Sequence, residues 1–167
     1  RLVLLPPELH VPRSLARTLR RGAFTFTADR AFEEVMRRCA EVPRPGQDGT
    51  WITDAMVQAY VRLHRLGLAH SFEAWEGATL AGGLYGVSLG SAFFGESMFS
   101  ARPDASKAAF VRSVEWLAGR GVDLVDCQVR TDHLVRFGAR EVPRPEFLER
   151  LAAALERPTL RGPWVLG

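Results

Sequence analysis

Three consecutive segments with period-two patterning occupy the middle of the chain and constrain its fold most strongly. They run from His70 to Trp75, from Leu80 to Ser88 and from Ser91 to Phe99, with turn residues at Glu76-Gly77 and Leu89-Gly90 between them. Alternation over segments of this length indicates β-strands, and the short separations indicate hairpins. We therefore predict a three-stranded antiparallel meander in this part of the chain.

Helical patterns flank the predicted meander on both sides. Before the meander, the predicted elements are a helix capped by Ser14 that runs through Arg21 and closes at Gly22, a strand from Ala23 to Thr27, and a helix capped by Asp29 that runs through Cys39. A loop with Pro43, Pro45, Gly46 and Gly49 follows, and then a helix that starts at Thr53 or Asp54 and ends before Gly67. After the meander, the predicted elements are a helix from Ala105 to Ala118, a strand from Asp123 to Val129, a helix from Asp132 to Phe137, and a final short strand and helix through Leu155. Serine, threonine and aspartate favour helix N-caps, and glycine favours the residue just beyond a helix.

The length and apolar content fit one folded unit. The 167 residues with 47% hydrophobic content are enough for one core. We expect a single domain, 1–167, of the α/β (α+β mixed) class, with a mixed, mostly antiparallel central sheet flanked by helices. This order of elements resembles the GNAT acyltransferase fold, although a fold alone says little about the substrate.

Polar side chains occupy two predicted strands at places where a strand covered by helices is ordinarily apolar. Glu96 stands among phenylalanines and a methionine, and Gly95 beside it indicates a β-bulge or a close approach of another segment. Asp126 and Gln128 follow an apolar run, and residues two apart in a strand share a face. A buried carboxylate or amide is costly without partners, so these residues favour a functional site. A satisfied structural network is the alternative.

Four arginines, Arg13, Arg17, Arg20 and Arg21, recur at spacings of three and four in the first predicted helix. Such spacings line one helical face. No acidic residue lies between Arg13 and Thr27 to offset them, and the whole chain has a formal net charge of +3. The pattern indicates a polyanion-binding face, with an ordinary solvated face as the alternative.

The segment from Ser100 to Lys107 lies where an acyl-coenzyme A enzyme of this fold holds the pyrophosphate. Glycines and a helix N-terminus let backbone amides approach a phosphate closely. This segment contains no glycine, includes Pro103, which lacks an N–H, and carries Asp104. We therefore expect no coenzyme A, and the arginine face becomes the candidate for holding the donor.

Other classes of protein find little support in the sequence. No apolar run approaches the length of a membrane span, and the segment from Arg1 to Pro7 does not resemble a signal peptide. Cys39 and Cys127 show neither metal-ligand nor disulfide-framework spacing. We expect a cytoplasmic monomer without a metal site and without membrane association.

A series of motifs resembles the leucyl/phenylalanyl-tRNA–protein transferases, in order and over nearly the whole chain. The motifs are Gly49-Thr-Trp-Ile-Thr53, Ala59-Tyr60 with Leu63-His64, Gly67, Ala69-His70-Ser71, Gly82-Gly83-Leu-Tyr-Gly86, Phe94-Gly-Glu-Ser-Met-Phe-Ser100, Ala105-Ser-Lys107, Asp126-Cys-Gln128 and Asp132-His133. Each motif alone is weak, whereas the ordered set is specific.

The resemblance implies a bacterial aminoacyltransferase of the N-degron pathway. Such an enzyme moves leucine, phenylalanine or, less often, methionine from aminoacyl-tRNA to the α-amino group of proteins that begin with arginine or lysine, and it needs no cofactor. By resemblance, Gln128 accepts a hydrogen bond from the attacking amine, Asp126 orients or relays to Gln128, and Glu96 attracts the cationic acceptor. A neutral amide is a poor base, so we expect Gln128 to position the amine rather than to deprotonate it.

The resemblance also implies a pocket for the donor side chain and a contact with the tRNA. The implied pocket residues are Trp51, Tyr60, Leu84, Phe93, Ser97 and Met98, and the implied tRNA contacts are Arg13, Arg17, Arg20 and Arg21. Three departures from the family stand out. Leu84 replaces a frequent methionine, Arg136-Phe137 replaces a usual Ser-Leu, and the family has a further N-terminal segment before the residues matched here.

Two other functions remain open from the sequence. An acyl-coenzyme A-dependent N-acetyltransferase would share the expected fold, and a non-catalytic binder of tRNA or N-terminal peptides would share the basic face. The retained Glu96, Asp126 and Gln128 favour catalysis over binding alone.

Overall fold

A computed structural model describes residues 1–43 and 50–166 of the chain. Pro45, Gly46 and Gly49, which belong to a predicted loop and to the first family motif, lie outside the described residues. The helices and strands are β1 (Leu2–Leu4), α1 (Arg13–Arg20), β2 (Thr25–Ala28), α2 (Phe32–Ala40), α3 (Asp54–Arg65), β3 (Ala69–Glu76), β4 (Thr79–Leu89), β5 (Ala92–Ser100), α4 (Ala105–Ala118), β6 (Leu124–Gln128), α5 (Asp132–Val135), β7 (Arg140–Glu141) and α6 (Arg144–Leu155), with a 3-10 helix at Pro6–Glu8.

The described strands form one seven-stranded sheet in the order β2-β3-β4-β5-β6-β1-β7. Strands β3, β4 and β5 pair antiparallel as consecutive neighbours, which confirms the predicted meander. Strand β6 runs parallel to β5, and the other described pairs in the sheet are antiparallel. The structure therefore has the mixed, mostly antiparallel sheet flanked by helices that the sequence predicts.

Strand β1 is an element that the sequence analysis missed. It lies inside the sheet between β6 and β7, and all three of its residues are buried. A strand buried on both faces has a continuous apolar run instead of alternation, and a run of three residues is too short to distinguish from other buried segments. Its position brings the start of the chain directly beside β6.

Two predicted helix caps are wrong. Helix α1 begins at Arg13 after Pro12, so Ser14 lies within its first turn and makes no capping bond. Helix α2 begins at Phe32, and Asp29 instead accepts hydrogen bonds from the Ser71 backbone amide at 3.0 Å and from the Trp164 amide at 2.7 Å. A carboxylate shared between distant segments leaves no local signal, so a capping role was the reasonable prediction from sequence.

The two faces of the sheet carry separate apolar cores. Helix α4 covers one face together with Leu84 and Phe93, and helices α2 and α3 cover the other with Tyr85 and Phe99. Phe93 and Phe99 are six residues apart and would share a face in a regular strand. They lie on opposite faces, so β5 must contain an irregularity between them.

No helix within residues 1–43 and 50–166 is both long enough and apolar enough to cross a lipid bilayer.

Candidate active site between strands β5 and β6

The parallel pair β5 and β6 opens into a cavity at one end. The strands stay in register from Ala92 opposite Leu124 to Phe94 opposite Asp126, and the pairing ends there. A cavity of about 520 Å³ lies against the residues that follow in both strands. Its size is typical of small-molecule sites. The point where neighbouring strands separate thus provides the concave surface of the candidate site.

A β-bulge in β5 determines the position of Glu96. Tyr85 of β4 pairs with Ser97, whereas the next residue, Gly86, pairs with Gly95, so Glu96 is the extra residue. A bulge bends the strand and redirects a side chain. It also explains why Phe93 and Phe99 face different cores, and it confirms the irregularity that Gly95 predicts.

Glu96 and Gln128 are joined across the opening between the strands. The Gln128 Nε2 atom donates hydrogen bonds to the Gly95 carbonyl at 2.9 Å and to Glu96 Oε2 at 3.2 Å. Both acceptors require the nitrogen side of the amide, so the orientation of the amide is determined. The Oε1 atom of Gln128 is then the part of the side chain that can accept a hydrogen bond from a substrate.

Tyr60, which is predicted at the edge of the pocket, contacts Glu96 and is not itself among the residues that line the cavity. Burial, followed by the negative charge of Glu96 and a hydrogen bond to it, raises the pKa of Tyr60 to about 12. The phenol therefore stays protonated and donates to the carboxylate. Its ring packs edge-on against Tyr85 with centroids 5.5 Å apart. Tyr60 thus supports Glu96 from behind.

Asp126 is fully buried at the base of the same opening. Its Oδ1 atom accepts the backbone N–H of Gln128 at 2.8 Å, and its Oδ2 atom accepts Nη2 of Arg1 at 2.8 Å. Gln128 has φ of 63°, a left-handed conformation that is uncommon for residues other than glycine. The family resemblance implies that Asp126 orients or relays to Gln128, and the hydrogen bond that joins them runs from the Gln128 backbone N–H to Asp126 Oδ1.

The remaining predicted pocket residues come together at the cavity. Five of the six line it, namely Trp51, Leu84, Phe93, Ser97 and Met98. Sequence analysis missed Phe110 and Ser113, which α4 contributes to the wall, and Val125 of β6. A helix face packed on a sheet has the same pattern whether it fills a core or lines a cavity, so no signal in the sequence separated the two.

Cys127 also lines the cavity. Burial, with a smaller effect of the charge on Asp126, raises the pKa of the Cys127 thiol to about 12. A nucleophilic cysteine needs a lowered pKa. Cys127 is therefore a wall residue of the cavity and not a candidate nucleophile.

His133 is a polar cavity residue that the sequence motif Asp132-His133 contained but did not assign. Its buried Nε2 atom has no hydrogen-bond partner among the described residues, and its ring packs edge-on against Phe137. Burial, followed by the charges of Lys107 and Arg136, lowers the pKa of His133. The ring is therefore neutral near pH 7 and offers a polar atom to the cavity wall.

The four predicted tRNA-contact arginines are all exposed on or just after α1. None of them forms an ion pair with an acidic residue within the part of the chain that the structure describes. The buried Leu15 fixes the opposite side of the helix to the core under α4. The arginines thus remain available to an external anion.

Asp29, His64 and His70 form a cluster whose carboxylate and imidazole ligand atoms lie within 4.8 Å of one another. The buried His70 ring contacts Asp29 Oδ2 at 2.8 Å through Nδ1 and the Gly67 carbonyl at 3.1 Å through Nε2. Both ring nitrogens of His70 are thus within hydrogen-bond distance of protein oxygen atoms. The ring also stacks on Trp164 with centroids 3.4 Å apart. The cluster therefore attaches the C-terminal segment to β3.

The geometry of the site indicates the general class of protein. A half-open apolar cavity bordered by an oriented carboxylate and an oriented amide is a site for an apolar group held beside a cation or an amine. The absence of a low-pKa thiol among the cavity residues argues against a covalent cysteine intermediate. These features fit a transferase that positions two substrates.

Comparison with known proteins identifies the family. The family model described as leucyl/phenylalanyl-tRNA protein transferase matches residues 3–152. Proteins named leucyl/phenylalanyl-tRNA–protein transferase from Anaeromyxobacter sp. (strain K) and from Myxococcus xanthus are 78% and 58% identical to the chain over 167 residues, which is 100% of this chain and 72% and 71% of theirs. One from Desulforapulum autotrophicum is 50% identical over 99% of this chain and 72% of its own length. The chain belongs to the leucyl/phenylalanyl-tRNA–protein transferase family and is an aminoacyltransferase.

Proposed function

We propose that this protein transfers leucine or phenylalanine, and less often methionine, from aminoacyl-tRNA to the α-amino group of proteins that begin with arginine or lysine. The product would carry a destabilising N-terminal residue and enter the N-degron pathway. The observation that carries the proposal is the apolar cavity with Glu96 and Gln128 joined at its edge. The opening between two parallel neighbouring strands also supports a GNAT-like fold.

The donor side chain would occupy the apolar part of the cavity. Leu84, Phe93 and Met98 line this part, and a methionine adapts its shape to different ligands. Unbranched and aromatic side chains suit such walls. A side chain branched at Cβ, such as that of isoleucine, would bring its bulk close to the reacting ester, so we expect it to be a poor donor.

The acceptor amine would bind between Glu96 and Gln128. The Glu96 carboxylate favours the cationic acceptor terminus, and Gln128 Oε1 accepts one hydrogen from the amine. An α-amine has a pKa of about 7.7–8.0, so a substantial fraction is uncharged at neutral pH. The free amine attacks the ester carbonyl, the C–N bond forms, the ester C–O bond breaks, and the amine proton passes through solvent to the ribose oxygen that leaves. Because the ester is already activated, correct positioning supplies much of the rate.

The segment before α4 does not favour binding of coenzyme A. The amides of Ala101 and Arg102 both donate to the Ala81 carbonyl, and the Ala105 amide donates to the Arg102 carbonyl. The Ser106 amide donates to Ser100 Oγ at 3.1 Å. These amides are engaged within the protein instead of being directed at a pyrophosphate. This supports a donor held by other means.

The transfer of labelled leucine from Leu-tRNA to a peptide that begins with arginine tests the proposal. We expect incorporation into the free peptide and none into the same peptide with an acetylated N-terminus. Binding of Leu-tRNA without incorporation would favour a non-catalytic binder. Acetyl transfer from acetyl-coenzyme A to the peptide would favour an N-acetyltransferase instead.

The arginines of α1 are proposed to contact tRNA phosphates. We expect the double variant Arg17→Gln/Arg20→Gln to weaken tRNA binding and to reduce the slope of log Kd against log salt by about 2, one unit for each lost phosphate contact. Filter binding at several salt concentrations measures this slope. The matched control is Arg112→Gln/Arg150→Gln, which removes the same charge from arginines already paired with Glu115 and Glu146. If both double variants weakened tRNA binding equally, the affinity would depend only on the net charge of the protein and not on these particular arginines.

A further inference from the structure

The geometry points to Arg1 as a positioning residue for aminoacyl transfer, acting through Asp126 on Gln128. This inference rests on the proposed function. It gives Asp126 a different role from the relay that the family resemblance implies, because the contacts of Asp126 leave it engaged on all sides. Arg1 and Asp126 are separated by 125 residues in sequence and meet because β1 lies beside β6.

The Arg1 guanidinium binds the Asp126 carboxylate through two nitrogens. Nε lies 3.0 Å from both Oδ1 and Oδ2, and Nη2 lies 2.8 Å from Oδ2. Bidentate pairs of this kind fix the plane of a carboxylate as well as neutralising it. The Asp126 side chain is completely buried. A buried carboxylate needs such a partner.

Arg1 is itself held in the sheet. Its carbonyl accepts the Val142 amide at 2.9 Å, and its backbone nitrogen donates to the Val142 carbonyl at 3.0 Å. The guanidinium also lies over the Phe147 ring, 5.7 Å from its centroid. The cation therefore has a defined place from which to orient Asp126.

The oriented carboxylate in turn determines the Gln128 backbone. With the Asp126 plane fixed by Arg1, Oδ1 accepts the Gln128 N–H at 2.8 Å. This bond stabilises the left-handed conformation that directs the Gln128 amide toward Gly95 and Glu96. Asp126 thus has its oxygens directed at Arg1 and at a backbone amide. It organises the site without accepting a proton from the substrate.

Four variants test the inference in the leucine-transfer reaction. We expect Arg1→Gln to lower kcat on the order of 100-fold, with the KM for Leu-tRNA nearly unchanged, because groups that only position an amide affect the transition state more than binding. Arg1→Lys should recover part of the loss, because lysine restores the charge without the bidentate geometry. Arg1→Gln/Asp126→Asn should be no slower than Asp126→Asn alone, since residues that act as a unit are not additive.

A second measurement is independent of activity. The side-chain amide NMR signal of Gln128 should move toward that of a free glutamine in Arg1→Gln and in Asp126→Asn alike. The control is Arg140→Gln on the neighbouring strand β7, since Arg140 is as exposed as Arg1 but pairs with Glu8 and Glu146. An unchanged Gln128 signal in Arg1→Gln would overturn the inference. So would a fall in kcat in the double variant equal to the product of the falls in the two single variants. An inactive wild-type chain whose Gln128 signal responds as expected would instead contradict the proposed function alone.

Discussion

Replacing Gln128 with glutamate is expected to lower kcat for leucine transfer on the order of 100-fold or more. The two side chains are nearly the same size, so the change is chemical. A carboxylate cannot donate the bonds that Nε2 makes to the Gly95 carbonyl and to Glu96. It also places a second negative charge 3.2 Å from the Glu96 oxygen, in a partly buried site where like charges repel strongly. Steady-state transfer to the arginine peptide measures the effect.

The same substitution separates positioning from base catalysis. A carboxylate is a far stronger base than an amide, so an enzyme that uses residue 128 as a base would keep or gain activity in Gln128→Glu. A fall in kcat supports positioning, and a rise contradicts it. The matched control is Gln58→Glu, which makes the same chemical change at an exposed position of α3. We expect that control to leave kcat within about 2-fold of the wild type, as surface changes usually do.

Local signals in the sequence were sufficient for the middle of the fold. The predicted turns at Glu76-Gly77 and Leu89-Gly90 are where the strands reverse, with Gly77 at φ of 59° and Gly90 at φ of 57°. The predicted helix from Ala105 to Ala118 has the same bounds in the structure. Thr53 caps α3 by accepting the Met56 amide. Each of these features depends on a few neighbouring residues, which is why the sequence alone specifies them.

Contacts between distant segments could not be predicted from local patterns. The place of β1 between β6 and β7 depends on the whole sheet. The pair of Arg1 and Asp126 depends in turn on β1. Likewise, Asp29 seemed to be a helix cap because its partners, His70 and Trp164, are far away in sequence. Local propensity was outweighed by tertiary hydrogen bonds at these positions.

The residues of the candidate site were easier to predict from the sequence than the contacts that surround them. Glu96, Asp126 and Gln128 are polar residues in otherwise apolar strands, and the structure brings all three to one cavity. What the sequence could not specify is how they are arranged. The bulge that isolates Glu96 and the left-handed backbone of Gln128 each depend on pairing between strands. The residue types thus indicated a candidate site, and the sheet determines the geometry of these three residues.

Near the bulge, Gly86→Ala is expected to lower the stability of the fold more than any other substitution that adds a single methyl group. A Cβ at Gly86 would meet the Phe94 carbonyl oxygen and would lie 2.5 Å from Cζ of the Phe93 ring. Gly86 lies opposite Gly95 at the bulge, so its backbone cannot move without disturbing Glu96. Overpacking of a buried position costs about 3 kcal/mol, which corresponds to a fall in Tm of roughly 6–12 °C for a chain of this size. Thermal unfolding measures the change.

Gly95→Ala provides the matched comparison on the opposite strand. The nearest atom to a Cβ there is the Asp126 carbonyl oxygen at 3.6 Å, an ordinary contact. We expect its stability to stay within about 0.5 kcal/mol of the wild type. The pair also links packing to function, because the added methyl group in Gly86→Ala would displace the Phe93 ring and alter the cavity wall, whereas Gly95→Ala leaves that ring in place. Leucine transfer should therefore fall in Gly86→Ala even well below its Tm. Equal stability of the two variants would mean that the bulge tolerates a side chain at Gly86 and that the close packing of Phe93 does not constrain the site.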